Sequence, residues 1–179
     1  MRRIWITRTE ESRRVRNQAV LQPHARHLRG LKWEVVLVKD RRVNAGCMPG
    51  KIMVTTGLLD LLKTDAEIAF ALGHEVGHVI ARHKADIARQ DWFPTLLWRP
   101  FFSMMEIEAD HIGIMLLGAA GFDPYKALVV LWKLANMGAL TKKESLMSRY
   151  PSYVTRSQYL SQHKVMQKAV KLYKEARRR

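Results

Sequence analysis

The chain has 179 residues, 47% of them hydrophobic, and a formal net charge of +15, so it is strongly basic and long enough to bury a core. Its one cysteine, Cys47, excludes an intrachain disulfide and is expected to fill apolar space on a strand rather than act as a nucleophile. No run approaches the roughly 20 apolar residues of a membrane-spanning helix. The Arg-rich start lacks the apolar stretch of a secretory signal.

The positive charge is concentrated at the two ends of the sequence. Residues 1–30 hold eight Arg against two Glu, and residues 161–179 hold seven Lys or Arg against one Glu. Two interpretations stay open: solvated basic ends, or attraction to an anionic membrane surface. Nucleic-acid binding is disfavoured, because the ends carry no interleaved aromatic residues and no reader motif. We expect a basic N-terminal segment, 1–30, followed by one folded domain, 31–179.

The elements predicted along the chain begin with three strands and continue as helices. Alternating β-branched residues predict strands at 33–38, 43–47 and 51–55, with a turn at 48–50. Helices are predicted at about 58–63, 64–88, 103–120, 124–138 and 155–177. An aromatic, proline-containing loop is expected at 89–102. The fold class that follows is α+β: a mostly helical domain with a small sheet beside the helix that contains residues 74–78.

Residues 74–78, His-Glu-Val-Gly-His, predict a metal site. Two histidines four residues apart lie about 40° apart on one side of a helix, so both imidazoles can reach one ion. Glu75 then lies beside the ion without binding it, where it can accept a proton from water that zinc activates. The alternative, a pair of surface histidines, is disfavoured because the flanking apolar residues recur at helical spacing and make a buried face.

A further protein ligand for zinc is expected from a second helix. There Glu106 and Asp110 share one face, while Glu108 points elsewhere. We expect Glu106 to be the third ligand and Asp110 to orient a ligating histidine, His74 in the first instance. Glu106 is alternatively the last residue of a capping box that starts at Ser103.

A third histidine on the helix predicted at 64–88 is expected to take no part in the metal site. His83 is nine residues after His74 and half a helical turn out of phase, so we expect it to face solvent.

Longer stretches of the chain resemble one family of peptidases. The stretches that match are 31–36, 43–52, 56–59, 65–67, 74–83, 105–113 and 121–124, within a similarity that covers about residues 30–178. They resemble the gluzincin metallopeptidases of the HtpX and CAAX-prenyl-protease superfamily. Within it the chain is most similar to the mitochondrial inner-membrane OMA-type peptidases, in their plant-like form. The resemblance implies a zincin-like fold and one Zn²⁺ per chain, with Glu106 at the family's third-ligand position.

The resemblance also implies which residues meet the substrate. In the family the edge of the small sheet pairs with extended substrate, which corresponds here to Asn44, Ala45 and Gly46. The family's Ser-x-His-Pro motif becomes Ser-Arg-Tyr-Pro at residues 148–151, so Tyr150 replaces a histidine that helps to hold the oxyanion. The resemblance therefore implies Tyr150 and Arg156 as transition-state stabilisers.

Two functions are compatible with this pattern. The first is a zinc metalloendopeptidase that hydrolyses membrane or membrane-proximal proteins in quality control, at the mitochondrial inner membrane, peripherally or on the intermembrane-space side. The second is a weakly active or inactive metal-binding paralogue that acts as scaffold or regulator. It is suggested by the histidine replaced at Tyr150, by the aromatic residue and the glycine that residues 44–50 lack, and by the short segment between the metal helices.

That short segment, 85–103, carries several large apolar residues and two prolines. We expect it to be a lid or a membrane-contact element, with Trp92 and Trp98 as its anchors, or else to fold back over the core.

Overall fold

The computed structural model describes residues 4–5, 33–88, 99–140 and 152–178. Within these ranges the fold is α+β and mostly helical, which confirms the predicted class. The strands are β1 (Ile4–Trp5), β2 (Glu34–Val38), β3 (Ala45–Met48) and β4 (Lys51–Thr55). The helices are α1 (Thr56–Leu61), α2 (Asp65–Ile80), α3 (His83–Ala88), α4 (Arg99–Ala119), α5 (Lys126–Leu140), α6 (Tyr153–Leu160) and α7 (His163–Arg177).

The described strands form one mixed sheet in the order β1-β2-β4-β3. Strand β2 runs parallel to β4, and β3 is antiparallel to β4. Gly50, with φ 79°, takes the left-handed conformation in the turn between β3 and β4, where glycine has no steric penalty. Strand β3 is therefore an edge strand of the sheet, and it lies against α2.

The two described residues of the segment 1–30 belong to this sheet. Ile4 pairs with Leu37 and Trp5 with Val36, so β1 extends the sheet on the side of β2. The proposed boundary between residues 30 and 31 stays a prediction.

Helix α2 begins as the sequence predicts. The Thr64 side chain accepts a hydrogen bond from the Glu67 N–H, and the Glu67 carboxylate accepts one from the Thr64 N–H, which is a capping box. Along the helix Phe70, Leu72 and Val76 are buried, because their spacing places them on the face that meets the rest of the core. The opposite side of the same helix carries the polar residues of the site.

Several predicted helix boundaries are wrong. Helix α2 ends at Ile80 instead of continuing to about residue 88, because Arg82 adopts a left-handed backbone (φ 61°) before α3 starts. Helix α4 begins at Arg99, within the segment predicted as loop, so Ser103 lies inside a helix and cannot be the N-cap of a capping box. The last predicted helix is divided into α6 and α7 at residues 161–162.

The end of α4 follows its sequence signal. Gly121 has φ 82°, and the Phe122 N–H donates to the Leu117 carbonyl 3.2 Å away, as in a glycine-terminated helix. Asp123 then accepts a hydrogen bond from the Tyr125 N–H at 3.0 Å, and α5 follows, ending at Leu140 rather than at the predicted Gly138. The turn between α4 and α5 lets both helices pack against α2.

The core lies between the sheet and the helices. Its buried members include residues from β4, α2, α4, α5, α6 and α7, among them Ile52, Phe70, Ile114, Leu131 and Leu160. Every described helix is too short or too polar to cross a bilayer.

Candidate metal centre

Helix α2 presents two imidazoles to one point in space. The Nε2 atoms of His74 and His78 lie 3.1 Å apart, and the two rings meet edge to face with centroids 4.7 Å apart. Both residues are half-buried, on the side of α2 that faces α4. The spacing of four residues produces this convergence, because side chains at i and i+4 lie one above the other on a helix.

Helix α4 contributes the carboxylate that completes this donor set. Glu106 Oε2 lies 3.5 Å from His74 Nε2, and its Oε1 lies 3.4 Å from His78 Nε2. One donor atom from each of the three residues lies within 4.8 Å of the others. Two imidazoles and one carboxylate are a donor set that catalytic zinc sites use, so these residues fit a zinc ion.

Close contact between the two helices makes this convergence possible. A Cβ added to Gly77 would lie 2.8 Å from the Ala109 carbonyl oxygen. One added to Gly113 would lie 2.9 Å from the main-chain nitrogen of His74. At Gly73 an added Cβ would lie 3.2 Å from the Gly113 oxygen. The absence of side chains at these positions lets the backbones approach, which brings the α4 carboxylate within reach of the α2 histidines. The sequence contains these glycines but does not reveal which helix each of them faces.

Asp110, fully buried, holds the far side of the first histidine. Its Oδ1 lies 2.9 Å from His74 Nδ1, which is the contact predicted from the sequence. Arg156 Nε donates to Asp110 Oδ2 at 2.6 Å, and Arg156 Nη2 donates to Oδ1 at 2.7 Å. The same guanidinium reaches Glu106 Oε2 from Nη1 at 3.2 Å. Arg156, on α6, therefore joins the Asp110 carboxylate to the Glu106 carboxylate.

In this cluster burial and hydrogen bonding shift the pKa of each group in opposite directions, and hydrogen bonding prevails. Burial alone would raise the pKa of Glu106, but its bonds to His74 and His78 outweigh that and hold it well below the ordinary value. Burial lowers the pKa of His74, yet hydrogen bonds to Asp110 and Glu106 raise it to about 9. For Asp110 burial is likewise outweighed, by Arg156 and His74, so its pKa is lowered. Without metal the cluster holds protons that an ion must displace.

His83 does not face solvent, and the prediction for it is wrong. It is only 4% exposed, and its Nδ1 lies 2.9 Å from His78 Nδ1. On its other side His83 Nε2 lies 3.2 Å from the Glu108 carboxylate. The left-handed backbone of Arg82 turns the chain after α2, so the helical phase that the prediction used does not continue to residue 83. No periodic signal in the sequence marks this turn.

Glu75 lies on α2 beside the edge strand. Its side chain is half-buried, and its carboxylate lies within reach of the Cys47 thiol. Its main-chain carbonyl accepts from Cys47 Sγ, 2.6 Å away on β3. Burial, with the nearby charge of Glu75, raises the pKa of the Cys47 thiol to about 12, so the sulfur stays protonated and links sheet to helix.

The edge strand β3 presents main-chain groups in alternating directions. Thr55 N donates to the Asn44 carbonyl of the neighbouring strand at 3.1 Å. Because the pattern alternates along an antiparallel pair, Asn44 and Gly46 turn their main-chain groups towards β4, while Ala45 and Cys47 turn theirs to the outer edge. The Lys84 ammonium donates to the Cys47 carbonyl there.

Some predicted residues lie outside the described residues. Tyr150 is one of them, and so are Trp92, Trp98 and the other residues of 89–98, between α3 and α4.

The fold and the donor set define a class of protein. A helix with His-Glu-x-x-His, a neighbouring helix with a glutamate, and a small sheet beside them are the arrangement of a gluzincin metallopeptidase domain. The sequence matches peptidase family M48 and supports a metallopeptidase of that type. The profile of that family matches residues 7–92, which include His74, Glu75 and His78 and end before Glu106. The family implies a metal cofactor.

Comparison with individual proteins agrees with the family. The chain is 43% identical to the mitochondrial metalloendopeptidase OMA1 of Arabidopsis thaliana, over 83% of this chain and 35% of that protein. It is 34% identical to the protein of the same name from Schizosaccharomyces pombe, over 68% of this chain and 44% of the relative. A human relative, metalloendopeptidase OMA1, mitochondrial, is 26% identical over 73% of this chain and 32% of its own length. The chain thus spans less than half the length of these relatives.

Proposed function

We propose that this protein is a zinc-dependent metalloendopeptidase that hydrolyses peptide bonds of membrane or membrane-proximal proteins in mitochondrial quality control. The observation that carries the proposal is the convergence of His74, His78 and Glu106, whose donor atoms lie within 4.8 Å of one another, with Glu75 next to the first of them. The relatives named as mitochondrial metalloendopeptidases support the reaction and the compartment.

The three converging residues would hold one Zn²⁺. When bound, zinc supplies a Lewis acid for the scissile carbonyl and activates water at neutral pH. The protein keeps both imidazoles aimed by their Nδ1 contacts, and Arg156 restrains the Glu106 carboxylate from the opposite side.

Glu75 is the general base in this proposal. Its carboxylate is half-buried and follows the candidate ligand His74 directly on α2, where it can take a proton from the attacking water. The same carboxyl group then donates that proton to the departing amine. Tyr150 and Arg156 stay in the proposal as stabilisers of the oxyanion. Arg156 also has a structural duty, because its guanidinium already binds Asp110 and Glu106.

The substrate is proposed to add an extended strand to β3. Of the three residues assigned to this role, Ala45 turns its N–H and C=O to the outer edge, and Asn44 and Gly46 flank it. Backbone pairing of this kind accepts many side-chain sequences, as a quality-control peptidase requires. An added Cβ at Gly46 would meet nothing within 4 Å, so the space beside the strand is open.

The test is the cleavage of an unstructured protein by the purified chain. We expect turnover that a chelator abolishes, that zinc restores, and that Glu75→Gln removes while zinc binding is retained. Loss of the general base should cost about 10²–10⁴ in rate. Zinc bound by the native chain without any turnover would favour the scaffold or regulator instead. Unchanged zinc affinity in His78→Ala would refute the metal centre itself.

An anionic membrane surface is the proposed partner, and the inner membrane, peripherally or on its intermembrane-space side, is the proposed location. The support in the described residues is α7, whose exposed residues include Lys164, Lys168, Lys171 and Lys174. Vesicles containing cardiolipin should bind the chain at low salt and release it at high salt in a flotation assay. Binding equal to that of neutral vesicles would contradict this part of the proposal.

A further inference from the structure

The two histidines on α2 are supported in different ways on their far sides. His74 Nδ1 faces a buried carboxylate, Asp110 Oδ1, at 2.9 Å. His78 Nδ1 faces another imidazole, His83 Nδ1, also at 2.9 Å. The rings of His78 and His83 meet at 72° with centroids 5.0 Å apart. Each imidazole therefore has a polar partner at Nδ1, on the side away from the point at which the Nε2 atoms converge.

Hydrogen-bond accounting sets the direction of the second contact. Two ring nitrogens 2.9 Å apart need one proton between them, so one donates and the other accepts. A histidine that binds a metal through Nε2 carries its proton on Nδ1, so His78 must donate and His83 must accept. The proton of His83 is then on Nε2, which donates to Glu108 Oε2 at 3.2 Å. His78 is thus a donor and Glu108 an acceptor, while His83 accepts at Nδ1 and donates from Nε2.

The backbone positions His83 for this contact. Helix α2 ends at Ile80, and the Arg82 N–H donates to the Val79 carbonyl at 3.2 Å. Arg82 then takes φ 61°, which an L-residue adopts only at some cost in free energy. The turn directs His83 back towards α2, where its side chain is 5% exposed, while Glu108 reaches it from α4 with a side chain that is 61% exposed.

We infer that His83 and Glu108 are positioning residues for His78. His83 contacts His78, Glu108 contacts His83, and together they fix the tautomer and ring orientation of His78 for metal binding. The inference rests on the proposed function, since it takes His78 as a ligand. Carboxylate partners of ligating histidines typically change metal affinity or activity by about 10–100-fold when removed. In this chain the support from the Glu108 carboxylate reaches His78 through one additional ring, that of His83, and we call His83 and Glu108 the relay. The competing explanation is that His83 only fills space where the chain turns.

The experiment measures zinc affinity by competition with a chelator, together with the visible absorption spectrum of the Co²⁺-loaded protein, which reports ligand geometry. His83→Leu removes the acceptor while retaining an apolar side chain, and we expect zinc affinity to fall about 10–100-fold. His83→Asn keeps an acceptor oxygen and should recover much of the loss. Glu108→Ala should weaken binding less than His83→Leu does, with a changed Co²⁺ spectrum in both.

A matched control is His111→Leu. His111 is a half-buried histidine on α4 whose Nδ1 lies 3.2 Å from the Tyr159 hydroxyl and which contacts neither ligating histidine. It should leave zinc affinity and the Co²⁺ spectrum unchanged. Native affinity and a native spectrum in both His83→Leu and Glu108→Ala would overturn the inference.

The outcomes also separate this inference from the proposed function. If His83→Leu does not fold, Glu108→Ala decides, because that side chain is mostly exposed and is not part of the core. Native behaviour of Glu108→Ala then overturns the relay. Zinc binding that depends on His78 but not on His83 or Glu108 would refute the relay and leave the metal centre intact. Zinc affinity that does not depend on His78 would refute both.

Discussion

Adding a single methyl group at Gly77 should disturb the metal centre more than it disturbs the fold. The added Cβ would lie 2.8 Å from the Ala109 oxygen and 3.0 Å from its Cα, and both are backbone atoms that cannot rotate away. Restoring an ordinary 3.4 Å contact requires about 0.6 Å of separation between α2 and α4. Those helices carry the two histidines and Glu106, respectively.

The expected magnitude follows from two opposing contributions. Alanine is more favourable than glycine inside a helix by about 1 kcal/mol. Overpacking typically costs about 1–3 kcal/mol. The free energy of unfolding should therefore fall by about 1 kcal/mol. Metal sites tolerate only about 0.2 Å of deviation in ligand distance, so a shift of about 0.6 Å should weaken zinc binding tenfold or more.

The assay pairs urea denaturation in the presence of a chelator with zinc affinity measured by competition. Gly46→Ala is the control, because the same methyl group placed there would meet nothing within 4 Å. It should leave both quantities close to native. A Gly77→Ala protein with native zinc affinity and native or higher stability would refute the reasoning that backbone contact between α2 and α4 sets the ligand distances.

Three further changes test other parts of the structure. Burial raises the pKa of Glu67, but hydrogen bonds led by Lys133 outweigh it and lower the pKa, so the stabilisation is present above the ordinary pKa and is lost as pH falls through the folded one. Glu67→Gln should thus be less stable by about 1–3 kcal/mol at pH 7 and approach the native protein in acid, as followed by urea denaturation at each pH. Lys84→Met frees the Cys47 carbonyl at the sheet edge and should lower KM for an unstructured substrate roughly two- to tenfold without changing kcat; an unchanged KM would refute a role for Lys84 at that edge. Arg156→Lys cannot form the paired contacts of a guanidinium and should cost on the order of 3 kcal/mol without metal. Zinc should restore part of that loss, and equal losses with and without zinc would contradict this account.

The sequence predicts those parts of the fold that local pattern controls. A few adjacent residues determine each of three features that the structure contains: the capping box at Thr64, the buried face of α2 and the glycine that ends α4. The pairing of His74 with Asp110 also follows from helical spacing, because each side was assigned to one face of its own helix.

The remainder depends on contacts that adjacent residues do not encode. Arg82 adopts a conformation that only glycine favours, so nothing in the sequence indicated that the chain turns there and buries His83. The break between α6 and α7 is similar, since Gln162 makes no side-chain cap and no glycine or proline marks it. The contact of Arg156 with Glu106 joins helices that are far apart in sequence.

The distribution of the site along the chain has a consequence for the order in which the domain matures. Arg156 is the cation that joins Asp110 and Glu106, yet it follows them by more than forty residues, so ribosomes make both carboxylates well before their counter-charge. Until α6 docks, the two carboxylates share the single positive charge of the His74 imidazolium, and the free-energy penalty for burying the remaining negative charge opposes closure of α4 onto α2. A nascent chain is therefore expected to close α4 onto α2 only when α6 has emerged or a metal ion supplies positive charge in its place. This timing would make assembly of the candidate site, and of the peptidase activity proposed for it, depend on the emergence of α6 or the arrival of a metal ion.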